Sequence, residues 1–258
     1  LYGGLPSEET KKHFRVIGGK EYYDDAWKQW DDMKSFGPAS RHVRRLIFQM
    51  IKNLSFSSVL DAGCGAGTLL IEMRKRYPQI ELSGAEYSFT GVSAARDKNP
   101  DAKIIQLDLV EKHLPASFDL VTCIDVLEHI QDDISTLRNL RSMTKKYFLL
   151  VVPTGPLFKQ EEIKVGHVHG YSRKEVLLKL KDAGFKVEKK IAWGFPFYNI
   201  YRRIVMIMPK DAVGGKFSQR KKMLSNILYW LLFLNLPIGG ERFFVLSSVE
   251  KPLLQKGV

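Results

Sequence analysis

The run Asp61-Ala62-Gly63-Cys64-Gly65-Ala66-Gly67-Thr68 follows a short apolar stretch and precedes a helical pattern. Strand, glycine turn and helix in that order bring backbone against a nucleotide-like ligand. The spacing is G-x-G-x-G, not the G-x-G-x-x-G of a pyrophosphate binder. Asp61 would repel a phosphate and attract a cation. A second set of chemical groups stands further on. Asp125, Glu128 and His129 close an apolar run, and His167 and His169 lie two apart in the loop Gly166-His167-Val168-His169-Gly170-Tyr171-Ser172. In an extended segment the two histidines would share a face. Histidine titrates near neutral pH, so one of them suits a general base, with Tyr171 to orient it.

These groups need a scaffold, and strand and helix patterns alternate around them. Strands are expected at 59–62, 80–85, 103–107, 118–124, 147–152, 186–193 and 242–250. Helices are expected at 68–77, from the Ser88 cap to Lys98, at 132–144 and from the Ser172 cap towards Gly184. Before them, two helices over 21–54 are separated by Phe36-Gly37-Pro38, and the first carries Tyr22, Tyr23, Trp27 and Trp30. Repeated βα units predict an α/β fold, a doubly wound, mostly parallel seven-stranded sheet. The segment 195–241 is too long for a hairpin loop and reads as an inserted helical cap. The organisation expected is leader and lid helices at 1–54, a core at 55–194, the cap at 195–241, and the last strand with a tail at 242–258.

The chain has 258 residues, 45% of them hydrophobic, and a net charge of +12. That charge favours an anionic partner. It is uneven: from Tyr201 onward there are ten Lys/Arg against three Asp/Glu. The cap joins Arg220-Lys221-Lys222 to the apolar run Leu224–Leu234, which is too short to span a bilayer. A basic, aromatic and apolar helix of this kind suits an anionic membrane surface, here through 216–236. Cys64 and Cys123 form no disulfide framework, and the first residues carry no secretory pattern. A cytoplasmic protein, peripheral at the membrane, is expected.

Taken in order, the motifs resemble those of class I S-adenosylmethionine-dependent methyltransferases, in the broad group with small-molecule acceptors. The resemblance rests on Asp61–Gly67, on Glu86 in Leu82-Ser83-Gly84-Ala85-Glu86-Tyr87-Ser88, on Asp108 in Gln106-Leu107-Asp108-Leu109, on Phe118-Asp119-Leu120-Val121, on Asp125–His129 and on the 166–172 loop. It implies S-adenosylmethionine as cofactor and S-adenosylhomocysteine as product. It implies a cofactor site of Asp61, Ala62, Gly63, Cys64, Gly65, Gly67, Glu86, Tyr87, Asp108, Leu109, Ile124, Asp125 and His129. Glu86 would accept the ribose hydroxyls, Asp108 the adenine amine, and Asp61 would lie near the methionine ammonium. His167, His169, His129 and Tyr171 become the catalytic candidates. Tyr22, Trp27, His167, His169, Tyr171, Trp193 and Phe197 become the acceptor candidates. The acceptor expected is small or lipid-linked and methylated on oxygen.

Quinone-biosynthesis O-methyltransferases carry an acid-x-x-Glu-His run that holds a divalent metal. Asp125, Glu128 and His129 are similar to it, with Asp as a shorter first acid. Metal is the alternative to a metal-free site. Protein or peptide, nucleic acid, and binding without turnover are the alternative functions. The fourth strand ends in Ile124-Asp125-Val126-Leu127 rather than Asn/Asp-Pro-Pro-aromatic, and no RNA-binding module is evident, which argues against nucleic acid.

Overall fold

The computed structural model describes residues 30–209 and 214–249. Residues 30–36 are helical. Then follow α1 (Pro38–Ile51), β1 (Ser58–Ala62), α2 (Thr68–Arg76), β2 (Glu81–Glu86), α3 (Phe89–Lys98), β3 (Lys103–Gln106) and β4 (Phe118–Ile124). A short 3₁₀ turn, Leu127–His129, leads into α4 (Asp133–Met143) and β5 (Thr144–Pro153). The chain continues through α5 (Lys159–Val165), α6 (Arg173–Asp182), β6 (Phe185–Trp193), α7 (Phe197–Ile207), α8 (Gln219–Leu231) and β7 (Arg242–Val249).

The seven strands lie in the order β3-β2-β1-β4-β5-β7-β6. The first five run parallel, while β7 is antiparallel to both β5 and β6. Central strands read as continuous apolar runs because helices cover both faces. Two buried clusters result. One holds Val59, Leu70, Leu120, Leu149 and Phe244; the other holds Leu60, Val121, Phe148, Leu150 and Val245. Their alternation along each strand follows the two-residue period of the pleat.

Helix starts are set by short polar side chains. Ser88 accepts from Gly91 N, Asp132 from Ser135 N, Ser172 from Glu175 N and Ser218 from Lys221 N. Where β1 ends, Gly63 and Gly67 adopt φ of 76° and 75°. A Cβ on Gly63 would fall 2.2 Å from Val126 Cγ2, and one on Gly67 would fall 2.2 Å from Asn99 Nδ2. Only glycine permits that turn and that approach. Asp119, at the far end of β4, has a different task. It accepts from Ser57 N at 2.9 Å and from Lys146 Nζ at 3.0 Å, tying the edge of the sheet away from the glycine turn.

The cap is two helices, α7 and α8, and α8 docks on α1. His42 of α1 bonds the Tyr229 carbonyl at 2.8 Å, and Arg41 donates to Asn226 at 2.7 Å. The His42 ring lies between Trp193, Tyr229 and Phe233, with centroids 5.1, 4.4 and 4.6 Å away. Helix α5 has no counterpart in the expected pattern: its seven residues fall below the length at which an amphipathic period is legible.

Candidate active site

A cavity of about 320 Å³ opens where β1, β2, β3 and β4 end together. Parallel strands on either side of a change in winding leave such a crevice at their carboxyl ends. Gly63, Glu86, Tyr87, Asp108, Leu109, Ile124, Asp125 and His129 all line it. Glu86 is 6% exposed; its carboxylate accepts from Gly65 N at 2.9 Å and Ser88 N at 2.9 Å. Those two backbone donors fix its direction at the wall. Asp108 accepts from Val110 N at 2.9 Å and so turns its loop into the cavity.

Asp61, Ala62, Cys64, Gly65 and Gly67 do not line the cavity. They are buried within the turn, and Gly63 alone of the loop reaches the opening. Asp61 accepts from Thr122 Oγ1 at 2.7 Å. Burial pushes its carboxyl up to about 6 against that bond, with Glu86 adding to the rise. A cation nearby would reverse the effect.

The opposite wall is a charged cluster. Asp125 has φ of 55°, a left-handed backbone that costs a non-glycine residue energy. Its carboxylate meets Arg242 at 2.8 Å and Lys34 at 3.1 Å. Burial would raise the Asp125 carboxyl, but Arg242 and Lys34 hold it down at about 2. Beside it, burial and the Asp125 charge push Glu128 up to about 8. Both Glu128 carboxylate oxygens, and His167 Nδ1, are buried without a hydrogen-bond partner. Burial and the Lys34 charge lower His129 to about 4, and burial with His129 takes His167 well below its ordinary range. Both rings are therefore neutral at pH 7, with centroids 4.8 Å apart.

Glu128, His129 and His167 each present a ligand atom within 4.8 Å of the others. A carboxylate and two neutral imidazoles suit a borderline divalent cation. The metal set read from the sequence is corrected here. Asp125 is occupied by Arg242 and Lys34, and His167, from a distant loop, completes the group instead.

The 166–172 loop is not extended, so its histidines part company. His129 Nδ1 lies 3.2 Å from the Gly166 carbonyl, and the amides of Val168 and His169 both donate to the Glu128 carbonyl, at 2.8 and 3.3 Å. His167 is thereby turned into the cavity. His169 lies outside it, bonded to the Ile130 carbonyl at 2.9 Å and stacked on Tyr171 at 5.1 Å. Tyr171 is fully buried and donates to Asp133 at 2.7 Å; burial, with that bond second, raises its hydroxyl far above the ordinary value. Neither His169 nor Tyr171 reaches the cavity, contrary to the expected catalytic roles. Trp193 and Phe197 also lie off it, Trp193 against His42 and Phe197 against the core. Tyr22 and Trp27 lie outside the described residues.

Three contributors escaped sequence reasoning. Arg242 opens β7 opposite Pro153 and Trp193. Because β7 runs antiparallel, its first residue arrives at the carboxyl ends of the parallel strands, and no local motif marks that. Arg202 on α7 lines the cavity, held by Glu161 at 2.6 and 2.8 Å and Glu241 at 3.0 Å. Lys34 comes from the N-terminal helical segment. All three are long-range pairings.

The strand order with β7 reversed, the glycine turn after β1 and the acids ending β2 and β3 together define the Rossmann-like core of class I methyltransferases, which binds S-adenosylmethionine. A family model described as a methyltransferase domain matches residues 36–190, and the chain belongs to that family. It is 32% identical over 135 residues to a ubiquinone biosynthesis O-methyltransferase of Azoarcus sp. (strain BH72), covering 49% of this chain and 57% of that one. The chain thus spans about half the length of the curated relatives it matches. Magnesium protoporphyrin IX methyltransferase from Synechocystis PCC 6803 with bound SAM superposes with a TM-score of 0.53 at 16% identity, covering 97% and 100% of the two chains. Phosphoethanolamine N-methyltransferase 2 of Haemonchus contortus gives 0.60 at 17% identity, covering 90% of this chain and 58% of that one. At such identities the likeness is one of fold.

Proposed function

We propose that the chain transfers a methyl group from S-adenosylmethionine to a hydroxyl oxygen of a small or lipid-linked acceptor. The observation that carries this is one cavity holding both the strand-end carboxylates and the Glu128–His129–His167 group. The cofactor supplies an electrophilic methyl on a cationic sulfur. Glu86 and Asp108 bind its ribose and adenine, and Asp61, ionised beside a cation, offsets its charge. The enzyme's remaining task is to hold acceptor oxygen, methyl and sulfur in line, shielded from water. Trp30 and Met33 cover one side of the cavity and Tyr201, Val205 and Met206 of α7 another, so much of the space available to an acceptor is apolar.

His167 takes the acceptor's hydroxyl proton. It is neutral at pH 7, and the Glu128 carboxyl, raised by burial and Asp125 and so protonated at that pH, lies with Oε1 3.9 Å from His167 Nε2. A second reading is favoured by the unpartnered Glu128 carboxylate. In it Glu128, His129 and His167 hold a divalent cation, which supplies Lewis acidity to the acceptor oxygen. Activity in excess chelator decides between them. Turnover unchanged after exhaustive chelation supports the base; turnover lost and restored by Mg²⁺ or Zn²⁺ supports the cation.

The relatives named for ubiquinone biosynthesis make a hydroxylated isoprenoid quinone precursor one candidate acceptor. A lipid-linked acceptor also fits the outer face of the cap. Among the described residues, 17 large hydrophobic side chains are exposed, and 14 of them lie between Phe195 and Ile238. No helix of the described residues is long and apolar enough to cross a membrane. The reading adopted is that the cap lies on a membrane surface, with its apolar side chains in the interface.

A further inference from the structure

A second cavity lies away from the active site, between α1, α2 and α8. Among the described residues Arg41, Arg44, Arg45 and Arg76 line it, with Glu72 as the one acid and Tyr229 as its cap wall. Glu72 is already engaged, by Arg44 at 2.5 Å and Arg76 at 3.0 Å. Among the described residues no carboxylate pairs with Arg41 or Arg45. Arg41 donates to Asn226 and lies 3.8 Å over the Tyr229 ring. Arg45 donates from Nε to His42 Nδ1 at 3.1 Å and lies 4.7 Å over the Phe233 ring. Both guanidinium planes are thus fixed by neighbours that supply no negative charge. Among the described residues, four guanidiniums around one carboxylate leave an excess of three positive charges in a partly enclosed space. Fixed guanidinium forks of this kind match phosphate oxygens in geometry as well as in charge.

The surroundings indicate where that phosphate comes from. The Tyr229 ring meets Trp230 edge-on at 5.8 Å, and Phe233 stacks on Trp230 at 5.3 Å. Trp230 is 69% exposed, beside Ile227 and Leu234 at 58% and 62%. The two arginines without carboxylates therefore sit one ring away from the cap's apolar face. The start of α8 adds Arg220, Lys221 and Lys222 with no acid in its first turn, an arrangement that opposes the helix dipole. Those charges stand about two turns from Tyr229, outside the cleft, and add a diffuse attraction to the same anionic surface.

We propose that the cleft formed by Arg41, Arg45 and Arg76 is a binding site for the phosphate of an anionic phospholipid headgroup, filled when the apolar face of α8 rests in the bilayer. This rests on the membrane reading given above for the cap and adds to it a specific site. Bound there, a headgroup would anchor α1 and α8 together at the membrane, leaving the cavity at the strand ends free for cofactor and acceptor.

The test is flotation of the full chain with vesicles of phosphatidylcholine alone and of phosphatidylcholine with phosphatidylglycerol, at fixed salt. The wild-type protein is expected to prefer the anionic vesicles by about tenfold or more. The double variant R41Q/R45Q should keep its binding to neutral vesicles and its methyl transfer, and lose most of that preference. Retention of the full preference would overturn the site and assign the attraction to diffuse charge such as Arg220–Lys222. Wild type that floats with neither vesicle would overturn the membrane reading itself, leaving the methyltransferase reading untouched. A second measurement needs no variant. Monomeric short-chain phosphatidylglycerol titrated into the wild-type protein should bind saturably, one to one, where inorganic phosphate at the same concentration does not. Equal binding of inorganic phosphate would make this a free-anion site and overturn the lipid assignment.

Discussion

On the proposed function, Glu86 binds cofactor and His167 acts as base, and single substitutions should separate them. Glu86 is fixed by two backbone donors at the end of β2, where it can bind cofactor. Glu86→Ala should weaken S-adenosylmethionine binding by at least about tenfold in calorimetry. An unchanged affinity would remove Glu86 from the site. His167→Gln should instead lower kcat by about 10²–10⁴-fold, leaving the cofactor dissociation constant near the wild-type value. His169→Gln should leave turnover close to wild type, since that ring faces the Ile130 carbonyl. Tyr171→Phe removes a buried donor to Asp133 and should cost about 1–3 kcal/mol of stability without a matching loss in kcat. At this scale Glu86 and Asp108, which line the cavity, were legible because each follows a recognisable strand. The acceptor loop was not, because which histidine faces the cavity depends on amides of Val168 and His169 reaching a carbonyl on the turn after β4.

Elements carry the second part of the account. β7 reverses direction and so delivers Arg242 to the site, while α8 folds back over α1. The contact between α8 and α1 depends on a neutral His42. Its Nε2 faces the Tyr229 carbonyl and its Nδ1 accepts from Arg45, so a second ring proton would confront the Arg45 N–H. Burial, with Arg45 and Arg41, lowers His42 to about 4 despite the bond to Tyr229. The unfolded chain takes up a proton near pH 6.5 that the native chain refuses until about pH 4. Stability from this contact is therefore complete above pH 6.5 and falls as pH drops from 6.5 towards 4. Melting temperatures measured over pH 4–7.5 should fall less steeply on acidification for His42→Phe than for the wild type. Parallel slopes would show that His42 does not latch the cap. The strands, and most helices, were readable from apolar period and cap residues such as Ser88 and Ser172. The antiparallel sense of β7 and the short α5 were not, since neither leaves a periodic signal of its own.

The described residues present two contrasting faces. Its cofactor crevice sits at the ends of the parallel strands, and its apolar side chains concentrate on the cap. Ile227→Ser with Trp230→Ser should abolish flotation with vesicles while leaving the melting temperature within about 2 °C, because both side chains are exposed. Flotation equal to wild type would move the membrane contact elsewhere. The basic, aromatic character of the cap was visible in the chain. Its division into an inner face lining the cavity through Tyr201 and Val205 and an outer face bearing Ile200 and Ile204 required the packing of α7. The central claim is methyl transfer to an acceptor hydroxyl, and one measurement tests it most directly. Purified protein is incubated with methyl-labelled S-adenosylmethionine and a fractionated cell extract. Label should appear in the small-molecule or solvent-extracted lipid fraction as a methyl ether, and Glu86→Ala should abolish it. Label confined to protein or nucleic acid, or absent from every fraction, would contradict the account.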